Sequence, residues 1–133
     1  MKIQESAENY LEAILVLHKE NGSVRSIDIA NYLEFSKPSV SVAMKNLREQ
    51  ACIVMDKSGY ITLTEKGYKI AYTIYERHVL ISRWLMQLGV DEETAHNDAC
   101  AMEHVISATS FSALKNHIEK EHGEIETVVP SVE

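Results

Sequence analysis

The sequence predicts a mainly α fold with a small β-hairpin wing, arranged as a winged helix-turn-helix head followed by a helical region. Three observations predict it. Only five Gly and two Pro interrupt 133 residues, which leaves room for long helices. Apolar residues recur at the helical period through most of the chain. That period breaks at residues 52–63, where two short apolar runs flank a Gly-containing turn, as in a hairpin.

Residues 5–20 read as an amphipathic helix, with Tyr10, Leu11, Ile14, Leu15 and Leu17 on one stripe. Asn21-Gly22 ends it, because Gly tolerates the left-handed backbone of a helix C-terminus. Ser26 is expected to cap a short second helix whose Ile27, Ile29, Ala30 and Leu33 pack inward. After the tight connection Glu34-Phe35-Ser36, Lys37-Pro38 opens a third helix through about Gln50. Cys52-Ile53-Val54-Met55 and Tyr60-Ile61-Thr62-Leu63 then pair around Asp56-Lys57-Ser58-Gly59. Thr64 caps a long helix to about Leu88, which Gly89 stops. Asp91 caps a fifth helix through about Ser107, with Glu92 and Glu93 favourably placed in its first turn. Thr109 or Ser110 is expected to cap a last helix to about Glu121. The expected organisation is a head over residues 1–66, a helical lobe over 67–122 and a flexible tail over 123–133.

Composition narrows the function classes. No apolar run is long enough to cross a bilayer, and MKIQESAENY lacks the apolar core of a secretory signal. The two cysteines, Cys52 and Cys100, are too few for a disulfide framework and suit a reducing, cytoplasmic setting. A net charge of −7 argues against nucleic-acid binding until its distribution is examined. Residues 22–66 hold six basic and five acidic groups, whereas residues 67–133 hold five basic and eleven acidic ones. The middle of the chain can therefore approach a phosphate backbone, and the acidic end favours cations. A solvated acidic surface gives the same balance, so charge alone does not decide.

Three helices and a hairpin, with the second and third helices joined by a short turn, form the winged helix-turn-helix order. On the third helix Val40, Ala43, Met44 and Leu47 fall on the core arc. Ser41, Val42 and Lys45 face outward, with Ser39 and Arg48 on the flanks and Ser36-Lys37 at the entry. Small serines let a helix sit close in the major groove, and an outward Val suits contact with a thymine methyl. Lys45, Arg48 and Lys57 in the wing are candidate phosphate contacts.

The fifth helix carries His96, Cys100 and His104 at i, i+4 and i+8, with Glu103 three residues after Cys100. Helical periodicity places all four along one side. Imidazole, thiolate and carboxylate together form a first-row transition-metal ligand set. His78 on the long helix, and Asn9 and Glu12 on the first, are outside donors. A nucleophilic reading of Cys100, His104 and Glu103 is disfavoured, because donors on one helix face leave no room for a substrate and oxyanion hole. No Gly-rich loop or nucleophile elbow accompanies them, so the chain is not expected to be an enzyme.

The segments SAENYLEAI, KPSVSVAMKNL, YITLTEKG followed by ERHVLISRWL, and GVDEETAHNDACAMEHVIS resemble the diphtheria-toxin-repressor family. That family includes iron-dependent repressors and the manganese transport regulator. The likeness spans roughly residues 5–122. It implies a homodimer with an N-terminal DNA head and a helical dimerisation region holding two neighbouring metal positions. Carried over, Cys100, Glu103 and His104 match one position, joined by Asn9. The second draws on His78, with either His96, as in iron-type members, or Glu12 and Glu103, as in manganese-type members. Asn9 stands where relatives place a carboxylate or thioether donor, and Ser82 where iron-type members have Glu. The chain resembles the short, two-domain class.

The resemblance thus implies a metal-dependent repressor that binds double-stranded operator DNA when loaded with Fe(II) or Mn(II). The Cys100 thiolate favours Fe(II) over Mn(II), with Co(II), Ni(II) or Zn(II) able to substitute in vitro. A reading from another class is a metal-independent winged-helix regulator that senses a small organic ligand in a pocket lined by Tyr72, Tyr75 and Trp84.

Overall fold

The structure, a computed structural model, describes residues 5–122, so the expected tail lies outside the described residues. These residues form α1 (Glu5–Asn21), α2 (Ser26–Leu33), α3 (Lys37–Glu49), β1 (Ile53–Met55), β2 (Ile61–Leu63), α4 (Glu65–Gln87), α5 (Glu92–Met102) and α6 (Ala108–His122). The mainly α fold with a hairpin is thus present. Contacts divide the chain inside α4, between Tyr72 and Thr73, where sequence had placed the boundary at α4's start.

In the first unit α1 supplies the middle of the core, with Leu11, Ile14 and Leu15 each at most 1% exposed. Complete burial of such a side chain is worth about 2 kcal/mol. Val40, Met44 and Leu47 of α3 are buried, as their spacing predicts, while Val42 is 61% exposed. Ser36 is the N-cap of α3: its Oγ accepts from Ser39 N–H at 3.3 Å and donates to Ser39 Oγ at 2.8 Å. Glu34 holds the turn before it with φ 58°.

Two expectations for α2 fail. The N-cap is Arg25, one residue before Ser26, and Asp28 in the first turn reaches back so that Arg25 N–H donates to its carboxylate at 2.9 Å. Ile27 is 40% exposed, because the buried arc of this two-turn helix is already filled by Ile29 and Ala30.

β1 and β2 pair antiparallel, with Ile53 opposite Leu63, Val54 opposite Thr62 and Met55 opposite Ile61. Ile53, Ile61 and Leu63 turn inward, and Val54 and Thr62 turn out. The Asp56 carboxylate closes the tip by accepting from Ser58 N–H and Tyr60 N–H, both at 2.9 Å. Gly59 sits at φ 87°, a left-handed conformation that costs other residues more. Thr64 does cap α4, accepting from Gly67 N–H at 3.2 Å.

In the second unit α4 and α6 share a cluster of Leu80, Phe111 and Ile118, with Trp84, Ile106 and Leu114 against it. Asp91 caps α5 as expected, accepting from Thr94 N–H at 3.0 Å. That helix stops at Met102 and does not run to Ser107. Ser107 instead caps α6, its Oγ accepting from Ser110 N–H at 3.1 Å, so neither Thr109 nor Ser110 is the cap. A serine at 107 offers the first turn of α6 an acceptor that a continuing α5 would not use.

Candidate metal centre and DNA-reading face

The early end of α5 shapes the ligand row. Glu103 is its C-cap, and residues 103–105 form a turn, so the row bends after Met102. One ligand atom from each of Cys100, Glu103 and His104 lies within 4.8 Å of the others. Cys100 is exposed, the His104 side chain is 2% exposed and Glu103 is fully buried. A buried carboxylate is costly unless paired. Here His104 Nε2 lies 3.5 Å from Oε1, and His78 Nδ1 lies 3.0 Å from Oε2.

His96 joins from the other side. Its Nδ1 is 3.0 Å from His78 Nε2, the two rings stacked at 5.2 Å between centroids. His78 thus meets the carboxylate with one ring nitrogen and His96 with the other. His96 Nε2 is also 3.8 Å from Glu92 Oε1. The structure therefore gathers Cys100, Glu103 and His104 into one set, and places His78 between the Glu103 carboxylate and the stacked His96 ring. Thiolate, imidazole and carboxylate at this spacing fit a divalent transition metal. Asn9 and Glu12 are half-buried at i, i+3 on α1, in the first unit.

Among the DNA candidates, Ser36, Lys37, Ser39, Ser41, Val42, Lys45, Arg48 and Lys57 are all exposed. An open groove of about 280 Å³ beside α3 is lined by Ser26, Ile27, Lys37 and Ser41. Sequence reasoning missed Arg25, whose guanidinium stands 5.4 Å over the Tyr60 ring at the wing. It also missed Arg77, which donates to the Glu103 carbonyl; its one signal was a position directly before His78. Of the three aromatic residues expected to line a ligand pocket, two have described surroundings. Trp84 packs in the α4–α6 cluster, and the Tyr72 ring lies 6.0 Å from that of Tyr68.

Residues 2–71 match the family model described as the iron-dependent repressor N-terminal DNA-binding domain. Residues 64–122 match that of the iron-dependent repressor metal-binding and dimerisation domain. The chain belongs to the iron-dependent repressor family. Its members are metal-dependent transcriptional repressors and not enzymes.

Within the family, the chain is 35% identical over 120 residues to the transcriptional regulator MntR of Escherichia coli O157:H7, covering 90% of this chain and 77% of that one. It is 35% identical over 109 residues to the HTH-type transcriptional regulator MntR of Bacillus subtilis strain 168, covering 82% and 77%. The structure of the manganese regulator SloR superposes with a TM-score of 0.75 at 28% identity, covering 90% of this chain. The chain spans 55% of the SloR chain's length. Among the described residues no helix is long and apolar enough to cross a membrane.

Proposed function

We propose that this member of the iron-dependent repressor family binds double-stranded operator DNA as a homodimer when it is loaded with a divalent metal, and so controls metal-homeostasis genes. The single observation that carries the reading is the convergence of Cys100, Glu103 and His104 within 4.8 Å, in the domain that the family describes as metal-binding. One position comprises these three with Asn9. The other comprises His78 with His96, or with Glu12 and Glu103.

The metal would supply a fixed positive centre, and this chain's residues supply the rest. His78 and His104 flank the Glu103 carboxylate, and Cys100 would bind as thiolate, giving up its proton on loading. Metal loading would favour one of the arrangements the chain can adopt. In a dimer that fixes the spacing of two recognition helices against successive half-sites. On DNA, Ser39, Ser41 and Val42 read base edges, and Lys37, Lys45, Arg48 and Lys57 hold phosphates.

The effector we propose is Mn(II). The names of the MntR relatives and of the manganese regulator SloR support it. The order expected from sequence, Fe(II) ahead of Mn(II), rests on Cys100 alone, and those names do not support it. Fluorescence anisotropy on operator DNA, with chelator and then with added Mn(II) or Fe(II), tests the reading. Metal should tighten binding at least tenfold, about 1.4 kcal/mol of coupling. Equal affinity in all conditions would refute it.

A further inference from the structure

We propose that Arg77 is a positioning residue for the metal centre, holding the turn on which Glu103 and His104 are mounted. The inference rests on the metal-dependent reading of that site.

The Glu103 and Ile106 carbonyls need outside donors. Backbone hydrogen bonds at this end of α5 run from Glu103 N–H to Ala99 O, and from Val105 N–H and Ile106 N–H to Met102 O. Arg77 Nη1 donates to Glu103 O at 3.1 Å and to Ile106 O at 2.8 Å, so one nitrogen spans both ends of the turn. Its positive charge also sits at a helix C-terminus, where the backbone dipoles favour a cation. The Phe111 ring lies 5.6 Å from the guanidinium carbon, backing the side chain from α6. Arg77 Nε is buried with no acceptor among the described residues, so the group's bonding is directed at the turn.

The neighbours on α4 complete the grip. His78 holds the Glu103 carboxylate through Oε2, while Arg77 holds the same residue's backbone. Main chain and side chain of one buried ligand are therefore fixed by two consecutive residues. His104, next in the chain, inherits that placement. A ligand set needs its donors fixed to within a fraction of an ångström, and outer partners that supply this govern affinity. Glu76, on the other side of Arg77, pairs instead with Lys115 at 2.8 Å. That pair is the internal control.

The test uses the full chain and Co(II), whose thiolate-to-metal absorption reports ligation by Cys100 directly. Wild type, Arg77→Met, Arg77→Lys and Lys115→Met are titrated with Co(II), and the folding of each apo protein is measured by denaturant unfolding. Arg77→Met should bind Co(II) at least about tenfold more weakly, with an altered charge-transfer band, in protein that is still folded. Arg77→Lys, which keeps a charge and donors, should recover part of the affinity and the wild-type band. Lys115→Met should lower stability only. A merely structural role would leave the folded fraction of Arg77→Met with wild-type affinity and spectrum, and that result overturns the proposal. Should Arg77→Met not fold, wild-type affinity and band shape in Arg77→Gln overturn it equally. A wild type that binds no Co(II) at all removes the metal reading itself, and this inference with it.

Discussion

His78 Nδ1 stands 3.0 Å from Glu103 Oε2, joining two residues 25 positions apart. The contact satisfies one oxygen of a carboxylate with 0% side-chain exposure, while His104 Nε2 stands 3.5 Å from the other, which has no hydrogen-bond partner among the described residues. Such a group suits a cation better than a structural role, because burying an ion pair brings little net stability. Glu103→Gln keeps the shape and removes the charge. It should leave apo stability within about 1 kcal/mol of wild type, since the desolvation of the carboxylate goes with it. Metal affinity should fall more than about tenfold, the lower bound for loss of a supporting group. Calorimetric metal titration with circular dichroism decides, and normal stoichiometry in the variant removes Glu103 from the site.

The junction between wing and α4 depends on Gly67. A Cβ there would stand 2.0 Å from the Cys52 carbonyl oxygen, a backbone atom that cannot rotate away. That oxygen also accepts from Thr64 N–H at 3.0 Å, so the clash strikes the base of the hairpin. Gly67→Ala should cost about 2–3 kcal/mol, at the upper end of overpacking effects. Denaturant unfolding measures it, and a loss below about 1 kcal/mol would mean the backbone gives way.

The outline of the fold was legible because each boundary has a local cause. Gly89 and Asp91 punctuate the α4–α5 join by backbone and capping chemistry that needs no tertiary partner. The inward face of α3 follows from Val40, Met44 and Leu47 at helical spacing. What failed was long-range or a competition between caps. Ser26 offered α2 a cap, but the Asp28 carboxylate reaches back to Arg25 N–H and starts the helix one residue earlier. The break after Met102 was invisible because Glu103, His104 and Val105 continue a helical pattern. It is sustained by Arg77, a residue 26 positions away from Glu103. The ligand types were likewise legible from spacing, whereas a role for Glu103 beside His78 came only from the family resemblance, since His78 arrives from another helix.

Asp91 gives a pH signature. The hydrogen bond from Thr94 N–H holds its carboxyl below the usual carboxylate range, helped by the Thr94 hydroxyl. A lowered folded-state value means the cap contributes above the ordinary carboxylate range and is lost as pH falls through the depressed value. Asp91→Asn keeps an acceptor but cannot titrate. At low salt the wild type should exceed Asp91→Asn in unfolding midpoint near neutrality, and the gap should close on acidification. A gap that is constant across pH contradicts the assignment.

Lys45 and Lys57 are exposed on the recognition helix and the wing tip, outside the metal-binding unit. Lys45→Ala should weaken operator binding across sequences and reduce the salt slope by about 1, the loss of one phosphate contact. Metal affinity should not move. Anisotropy over a range of salt concentrations reads the slope, and an unchanged value removes Lys45 from the backbone contacts.

We propose that Cys100, the exposed member of its set, bears on metal selectivity. A thiolate is a softer donor than carboxylate and favours the later ions, whereas oxygen donors suit Mn(II). At almost any site Mn(II) binds more weakly than Fe(II), so in vitro order alone does not name the effector that a cell supplies. The informative quantity is the ratio of free Fe(II) to free Mn(II) needed for half-maximal operator binding, measured anaerobically. Replacing sulfur by carboxylate in Cys100→Glu should move that ratio toward Mn(II), and should weaken the response to Zn(II) and Co(II) more than the response to Mn(II). Wild type should still respond to Mn(II), because Glu103, His78 and His104 supply harder nitrogen and oxygen donors. If the ratio is the same in both proteins, the thiolate does not set selectivity, and the choice of metal lies with the Glu103–His78 set.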